Sequence, residues 1–269
     1  MPHLKSTIPP EGGKDLSLAS TVELNDGFRM PRLGLGVWET QPNVCEEAVL
    51  ASFEVGYRHI DTAASYDNEA EVGSAVRKTT VPRSTLFITT KIWDDDQGYD
   101  STIAAVQDSL KKSGLEYFDL ILLHSALPGK ESRLESWKAL EYCVDKGWIR
   151  SIGVSNWAAK HFEELKATSP KIRPAVNQLE LHPFLQQRPT VEYCFSNDIV
   201  VQAYSPLTRG QLLNNETITR IANSKGVDEA QVLIRWSLQK EDDMTALDAL
   251  DNGYLTGSWG EGVNPLNAE

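Results

Sequence analysis

The sequence predicts an α/β domain of parallel βα units, of the (β/α)8 TIM-barrel type, and three observations carry that prediction. Short apolar, β-branched runs alternate with amphipathic helical stretches seven times in succession, the pattern of parallel strands joined by crossover helices. The chain has 269 residues, and such barrels take about 250. Three consecutive runs lead into reactive side chains: residues 57–60 into Asp61 and Tyr66, LFITT (86–90) into Lys91, and DLILL (119–123) into His124. Side chains just past the C-terminal ends of strands are where this class of fold keeps its chemistry. Neighbouring strands lie about 4.8 Å apart, so these four residues are expected to converge at one rim.

The elements follow in order. Residues 1–20 hold Pro9, Pro10, Gly12 and Gly13 with scattered charges and read as a flexible tail, with no signal-peptide pattern; residues 21–269 read as the barrel domain. Asn25–Asp26–Gly27 is a hairpin turn signal between 21–24 and 28–30, and this hairpin is expected to close the bottom of the barrel. Residues 33–37 form a first core strand. Helices are expected at about 43–53, 69–78, 100–113, 133–146, 158–168 and 188–196. Between the later ones lie strands at 149–154, 174–179 and 199–204. After 207–215 come helical stretches at 216–225 and 229–239. Then residue 240 runs straight into EDDMTALDALDNGY, an acidic amphipathic helix. No β-branched apolar run follows Gln239, so the eighth strand is expected to be absent.

Composition narrows the function classes. Net charge is −12, which argues against non-specific binding to nucleic acid or anionic membranes. No apolar run approaches the roughly 18 residues of a membrane span. The three cysteines, Cys45, Cys143 and Cys194, are odd in number and widely spaced, as reduced cytoplasmic thiols are. The five histidines show no metal-ligand spacing, and no metal is expected. Taken singly, each rim residue has a bland reading: Asp61 as a helix cap or ion-pair partner, Tyr66 as a loop anchor, Lys91 as a solvated charge, His124 as a hydrogen-bonded rim residue. Their joint placement at successive strand ends favours catalysis. Ser155 and Asn156 read singly as a helix N-cap.

Eight motifs occur in order: LGLGVW, HIDTAASYDNEAEVG, ITTKIW, SGLEYFDLILLH, IRSIGVSNW, PAVNQLELHPFLQQ, VVQAYSPL and QVLIRWSLQK. Through them the chain resembles the aldo-keto reductases, NADP(H)-dependent carbonyl reductases on the (β/α)8 barrel. The resemblance implies a small-molecule carbonyl substrate (an aldehyde, ketone or open-chain sugar) and a catalytic tetrad of Asp61, Tyr66, Lys91 and His124. Tyr66 would be the general acid, Lys91 would lower its pKa, Asp61 would hold Lys91 as ammonium, and His124 would orient the carbonyl oxygen. The resemblance also implies cofactor contacts. Ser155, Asn156 and Gln178 would bond the nicotinamide carboxamide, Tyr204 would stack on the ring, and Ser205, Pro206 and Leu207 would line the pyrophosphate path. Val37, Trp38 and Trp93 would wall the pocket near the reacting carbon.

The chain departs from the resemblance in two places. Ser125 stands where many members carry an aromatic residue, implying a wider or more polar pocket there. Between residues 240 and 241 a strand and loop carrying the grip on the adenosine 2′-phosphate is missing, about one βαβ unit of some 30 residues, which reads as an internal excision. The competing expectation is therefore a catalytically impaired or non-catalytic relative with a binding role.

Overall fold

A computed structural model of the chain describes residues 16–238, 244–257, 259 and 263–269. Residues 1–15 of the expected tail at 1–20, and the join at 240–241, lie outside the described residues. The first elements are the antiparallel strands β1 (Thr21–Glu23) and β2 (Arg29–Pro31), paired Thr21 to Pro31. Gly27 takes the left-handed φ of +88° that the tight turn between them requires, where a Cβ would be strained. There follow β3 (Leu35–Gly36), β4 (His59–Asp61), β5 (Phe87–Ile92), β6 (Phe118–Leu123), β7 (Ile149–Ser155), β8 (Val176–Glu180) and β9 (Val200–Tyr204). Among the described residues they form a seven-stranded sheet in chain order, with parallel register from β3 to β7. This is the parallel α/β arrangement of the (β/α)8 type.

The chain falls into two compact units. The larger comprises residues 17–177, 198–200 and 265–269. Every residue of β5 and β6 is buried, as expected of parallel strands covered on both faces. Leu24 and Met30 of the hairpin pack with Phe87, Leu120, Leu122, Ala175 and Val176. Asn25 Nδ2 donates to the carbonyls of Pro174 (2.8 Å) and Asp198 (2.9 Å), just before β8 and β9. The hairpin thus closes the N-terminal end of the sheet, as its turn signal implied.

The helices of this unit are α1 (Pro42–Glu54), α2 (Glu69–Lys78), α3 (Tyr99–Ser113), α4 (Lys130–Asp145) and α5 (Ala159–Lys166). α3 shows why they form. Thr102, Val106, Ser109 and Ser113 are buried at a spacing of three or four residues, one face of a helix. Gly114 ends it in the left-handed region, its N–H bonded to the Leu110 carbonyl at 2.8 Å. β3 is shorter than the expected 33–37, and α4 begins three residues before the expected 133. Element ends are the least determined by periodicity, because the pattern of apolar residues fades there.

The smaller unit comprises the described residues of 178–197 and 201–264, with Leu16. Its helices are α6 (Arg188–Ser196), α7 (Glu216–Lys225), α8 (Glu229–Leu238) and α9 (Met244–Asp248). Phe184, Ile218, Ile221, Ala222, Val232, Leu233 and Leu247 form its core. The acidic stretch was expected to be an amphipathic helix. Its described part is the short α9, whose Leu247 is fully buried while Trp236 Nε1 donates to Asp248 Oδ1 at 3.0 Å. Among the described residues no helix is long and apolar enough to cross a membrane.

α2 and α3 meet at Gly73, where a Cβ would fall well inside contact distance of the Ser113 backbone carbonyl. Alanine has the higher helix propensity, by about 1 kcal/mol, but overpacking a tight contact costs about 1–3 kcal/mol. Gly73→Ala is expected to lower stability by about 1–2 kcal/mol in urea unfolding. A variant as stable as the parent would show that α2 and α3 separate freely.

Candidate active site

Strand parity and register assemble the site. Asp61 lies opposite Thr89, Thr89 opposite Leu120, and Leu120 opposite Ser151. Partners in register share a face, and side chains two apart on a strand share it too. Asp61, Lys91, His124 and Ser155 therefore project from one face at the C-terminal end of the sheet. Thr90 projects from the other face, where its hydroxyl donates to Glu69 Oε1 of α2 at 2.6 Å.

Lys91 is completely buried. Its ammonium donates to Asp61 Oδ1 (2.5 Å), to the Thr62 carbonyl (2.9 Å) and to Tyr66 Oη (3.1 Å). An ammonium has three protons, and three acceptors meet them. Burial alone would lower the Lys91 pKa, but the Asp61 carboxylate and the Tyr66 oxygen outweigh it and raise it, so the charge is kept. Because the Tyr66 oxygen accepts from Lys91, its own proton is left to donate elsewhere.

The resemblance implied that Lys91 lowers the Tyr66 pKa. The net direction is the reverse: burial pushes the phenol above its ordinary value of 10, Asp61 adds to the rise, and Lys91 pulls downward without offsetting them. The lysine acts in the expected direction but is outweighed, because a phenolate would lose its hydration in this enclosed position. Tyr66 is a neutral phenol at neutral pH.

His124 follows β6, its backbone N–H bonded to the Ile92 carbonyl at 3.0 Å. Its ring stands edge-on to Tyr66, with centroids 5.8 Å apart, and to Trp93, with centroids 5.0 Å apart. Burial, helped by the Lys91 charge, holds its pKa well below 6.5. The imidazole is neutral and offers one N–H donor.

Of the wider or more polar pocket expected beside His124, the polar alternative does not rest on Ser125. It adds no polarity to the pocket, because it is fully buried and its hydroxyl donates to Asp94, 2.7 and 2.8 Å from the two carboxylate oxygens. Gln97 Nε2 donates to the Ser125 carbonyl at 2.9 Å. The strand-end loops that carry Trp93 and His124 are thereby fastened together. Neither Asp94 nor Gln97 stands out in the sequence, since DDDQ at 94–97 looks like a solvated acidic turn. Thr62 and Asn68 were also missed. Only their position on either side of Tyr66 could have drawn notice.

The expected cofactor residues fall in both units. In the larger, Val37, Ser155 and Asn156 are buried and Trp38 is 38% exposed. Asn156 has φ +59°, and its Nδ2 donates to the His124 carbonyl (3.1 Å) and Ser155 Oγ (3.0 Å). A hydroxyl and a carboxamide thus stand beside His124, donors and acceptors of the kind a nicotinamide carboxamide requires, so this end of the cofactor fits. In the smaller unit, Gln178 lies on β8 and is buried. Tyr204 ends β9, and its hydroxyl accepts from Trp259 Nε1 at 3.0 Å. Ser205 has φ +48°, and Pro206 and Leu207 follow in a tight loop closed by the Thr208 N–H on the Ser205 carbonyl at 2.9 Å. Among the described residues no group of three or more His, Cys, Asp or Glu could hold a metal ion.

The profile of the Aldo/keto reductase family matches residues 32–252. The glyoxal reductase of Bacillus subtilis is 46% identical over 224 residues, 83% of this chain and 80% of that protein. An uncharacterised oxidoreductase of Schizosaccharomyces pombe is 48% identical over 226 residues, 82% of this chain and 79% of its own length. An aldo-keto reductase from a Medee basin deep-sea metagenome library has a solved structure that superposes with a TM-score of 0.85 at 36% identity, covering 91% of this chain and 99% of that one. On its matched profile, its relatives and its parallel α/β fold, the chain belongs to the Aldo/keto reductase family, oxidoreductases that take a nicotinamide cofactor and small carbonyl substrates.

Proposed function

We propose that the chain reduces an aldehyde, ketone or open-chain sugar carbonyl to an alcohol, with NADPH as reductant and Tyr66 as the general acid. The observation that carries this reading is the Lys91 ammonium, which bonds Asp61 and the Tyr66 oxygen at once. The glyoxal reductase among the relatives supports a small aldehyde as substrate. When bound, the reduced nicotinamide would supply the hydride; Ser155 and Asn156 would hold its carboxamide, and Gln178 and Tyr204 are the residues of the smaller unit that would contact the carboxamide and the ring. The protein's part is positioning and electrostatics. His124, neutral and edge-on to Tyr66, donates its N–H to the carbonyl oxygen and orients it. Tyr66 passes its proton to that oxygen as negative charge develops there. The Lys91 N–H at 3.1 Å stabilises the phenolate left behind, and Asp61 keeps Lys91 charged through the cycle. Trp93 and Trp38 wall the pocket and reduce the access of water.

A second reading is favoured by the run of the sequence after QVLIRWSLQK, which passes directly to EDDMTALDALD. The segment that would hold the adenosine 2′-phosphate is missing there. On this reading the chain is an impaired relative whose cofactor affinity is low.

Three measurements bear on these readings. Tyr66→Phe removes the proton and keeps the ring, so kcat for carbonyl reduction is expected to fall by about 10²–10⁴-fold with cofactor affinity unchanged. A variant with wild-type kcat would remove Tyr66 from the chemistry. Lys91→Met takes away the charge that pulls the Tyr66 pKa down. Loss of reduction at alkaline pH, where the phenol ionises, should therefore move to higher pH along with a lower kcat. A shift to lower pH would reverse the assigned roles. Calorimetric titration with NADPH should give about 10–100-fold weaker binding than to a variant carrying a family-typical strand and phosphate-binding loop inserted after residue 240, since hydrogen bonds to a charged group contribute about 1.5–3 kcal/mol each. Equal affinities would make the shortened segment harmless.

A further inference from the structure

Tyr66 sits on a loop that little backbone bonding holds. Ala64–Tyr66 is one turn of 3₁₀ helix, Tyr66 N–H bonds to the Ala63 carbonyl at 3.0 Å, and Asp67 follows at φ +54°. The residues on either side of this loop, Thr62 and Asn68, are both fully buried, and Thr62 Oγ donates to Asn68 Oδ1 at 2.6 Å. Asn68 occupies the N-cap of α2, where an asparagine side chain ordinarily accepts from its own helix and contributes about 1 kcal/mol. Here it makes no such bond. Its Nδ2 instead donates to the carbonyl of Val37 (2.8 Å), with a longer contact to that of Thr40 (3.4 Å). The Thr62 carbonyl accepts from Lys91 Nζ at 2.9 Å. A chain of bonds therefore runs from the Lys91 ammonium through Thr62 and Asn68 to the end of β3, and the loop bearing Tyr66 is closed across its base.

We propose that Asn68 is a positioning residue for carbonyl reduction: by clasping Thr62 and tethering the loop to Val37, it sets the Tyr66 hydroxyl against Lys91. The proposal rests on the reading of Tyr66 as the proton donor. The helix forgoes its side-chain cap, and the carboxamide serves the loop instead. Val37 precedes Trp38, so the same tether ties the proton donor to a wall of the pocket.

The test is a set of kinetic variants of the full chain, each assayed well below its melting temperature. A misplacement of about 1 Å can cost about 10²-fold in rate. Asn68→Ala is expected to lower kcat by about 10–100-fold, with substrate KM and cofactor Kd changed by less than about 3-fold. Thr62→Val should do the same, and Thr62→Ser, which keeps the hydroxyl, should recover most of that loss. The deciding measurement is the double variant. With Tyr66→Phe already present, adding Asn68→Ala should leave the residual rate unchanged, because its effect passes through Tyr66. A further 10-fold fall in the double variant would overturn the proposal, and so would a folded Asn68→Ala with wild-type kcat. If Asn68→Ala does not fold, the Thr62→Val and Thr62→Ser pair decides: equal rates for the two with Tyr66 in place overturn the proposal, and so does a further 10-fold fall when Thr62→Val is added to Tyr66→Phe. If Tyr66→Phe is itself fully active, the underlying reading of Tyr66 fails, an outcome distinct from an inactive Tyr66→Phe beside an active Asn68→Ala.

Discussion

A lysine ammonium with no access to water is the constraint on which the rest of this site depends. Removing such a charge from solvent costs several kcal/mol, and the loss is recovered only when the geometry of its partners is close to ideal. Lys91 meets this condition with one carboxylate, one backbone carbonyl and one phenolic oxygen, a partner for each proton. The three partners come from β4, the residue after it, and the loop beyond. β4 and β5 must therefore pair in one register, and the chain must turn back immediately after Asp61. A slip of one residue would place Lys91 among the apolar side chains facing α2 and leave Asp61 facing Thr90.

The electrostatics of the neighbouring groups follow from that charge and from their shared burial. Burial and the ammonium both oppose protonation of His124, so it stays a neutral donor. For Tyr66 the two effects conflict, and burial wins. The result is a protonated phenol, a neutral imidazole and one fixed cation within a few ångströms. That set can deliver a proton to a carbonyl oxygen and receive the negative charge left behind without reorganisation of water, which is the economical form of electrostatic assistance.

The rigid strands hold the charged pair, while side-chain bonds between loops hold the apolar walls. Asp94 accepts from Ser125 and Gln97 reaches the Ser125 carbonyl, so the segments after β5 and β6 are fastened together, with Trp93 edge-on to His124. Thr62 and Asn68 do the same for the segment after β4. In both cases a buried, hydrogen-bonded short polar residue stands in for the hydrogen-bond ladder that a loop lacks.

Much of this was legible before any coordinates. The alternation of apolar runs and amphipathic stretches determines a parallel sheet, because buried strands and half-buried helices require different periods. The position of Asp61, Lys91 and His124 just at the ends of three successive runs points to a shared rim; that they also share a face depends on the strand register, which the structure supplies. The Asn25–Asp26–Gly27 turn determines a hairpin. Only the tertiary structure decided the rest. That Asn68 serves a loop and not its own helix, that the Ser125 hydroxyl is held by Asp94, and that Tyr66 titrates above its ordinary value all depend on which groups from distant parts of the chain close around them. Hydrogen-bond choice and desolvation are set by three-dimensional neighbours, and local sequence carries no record of those neighbours.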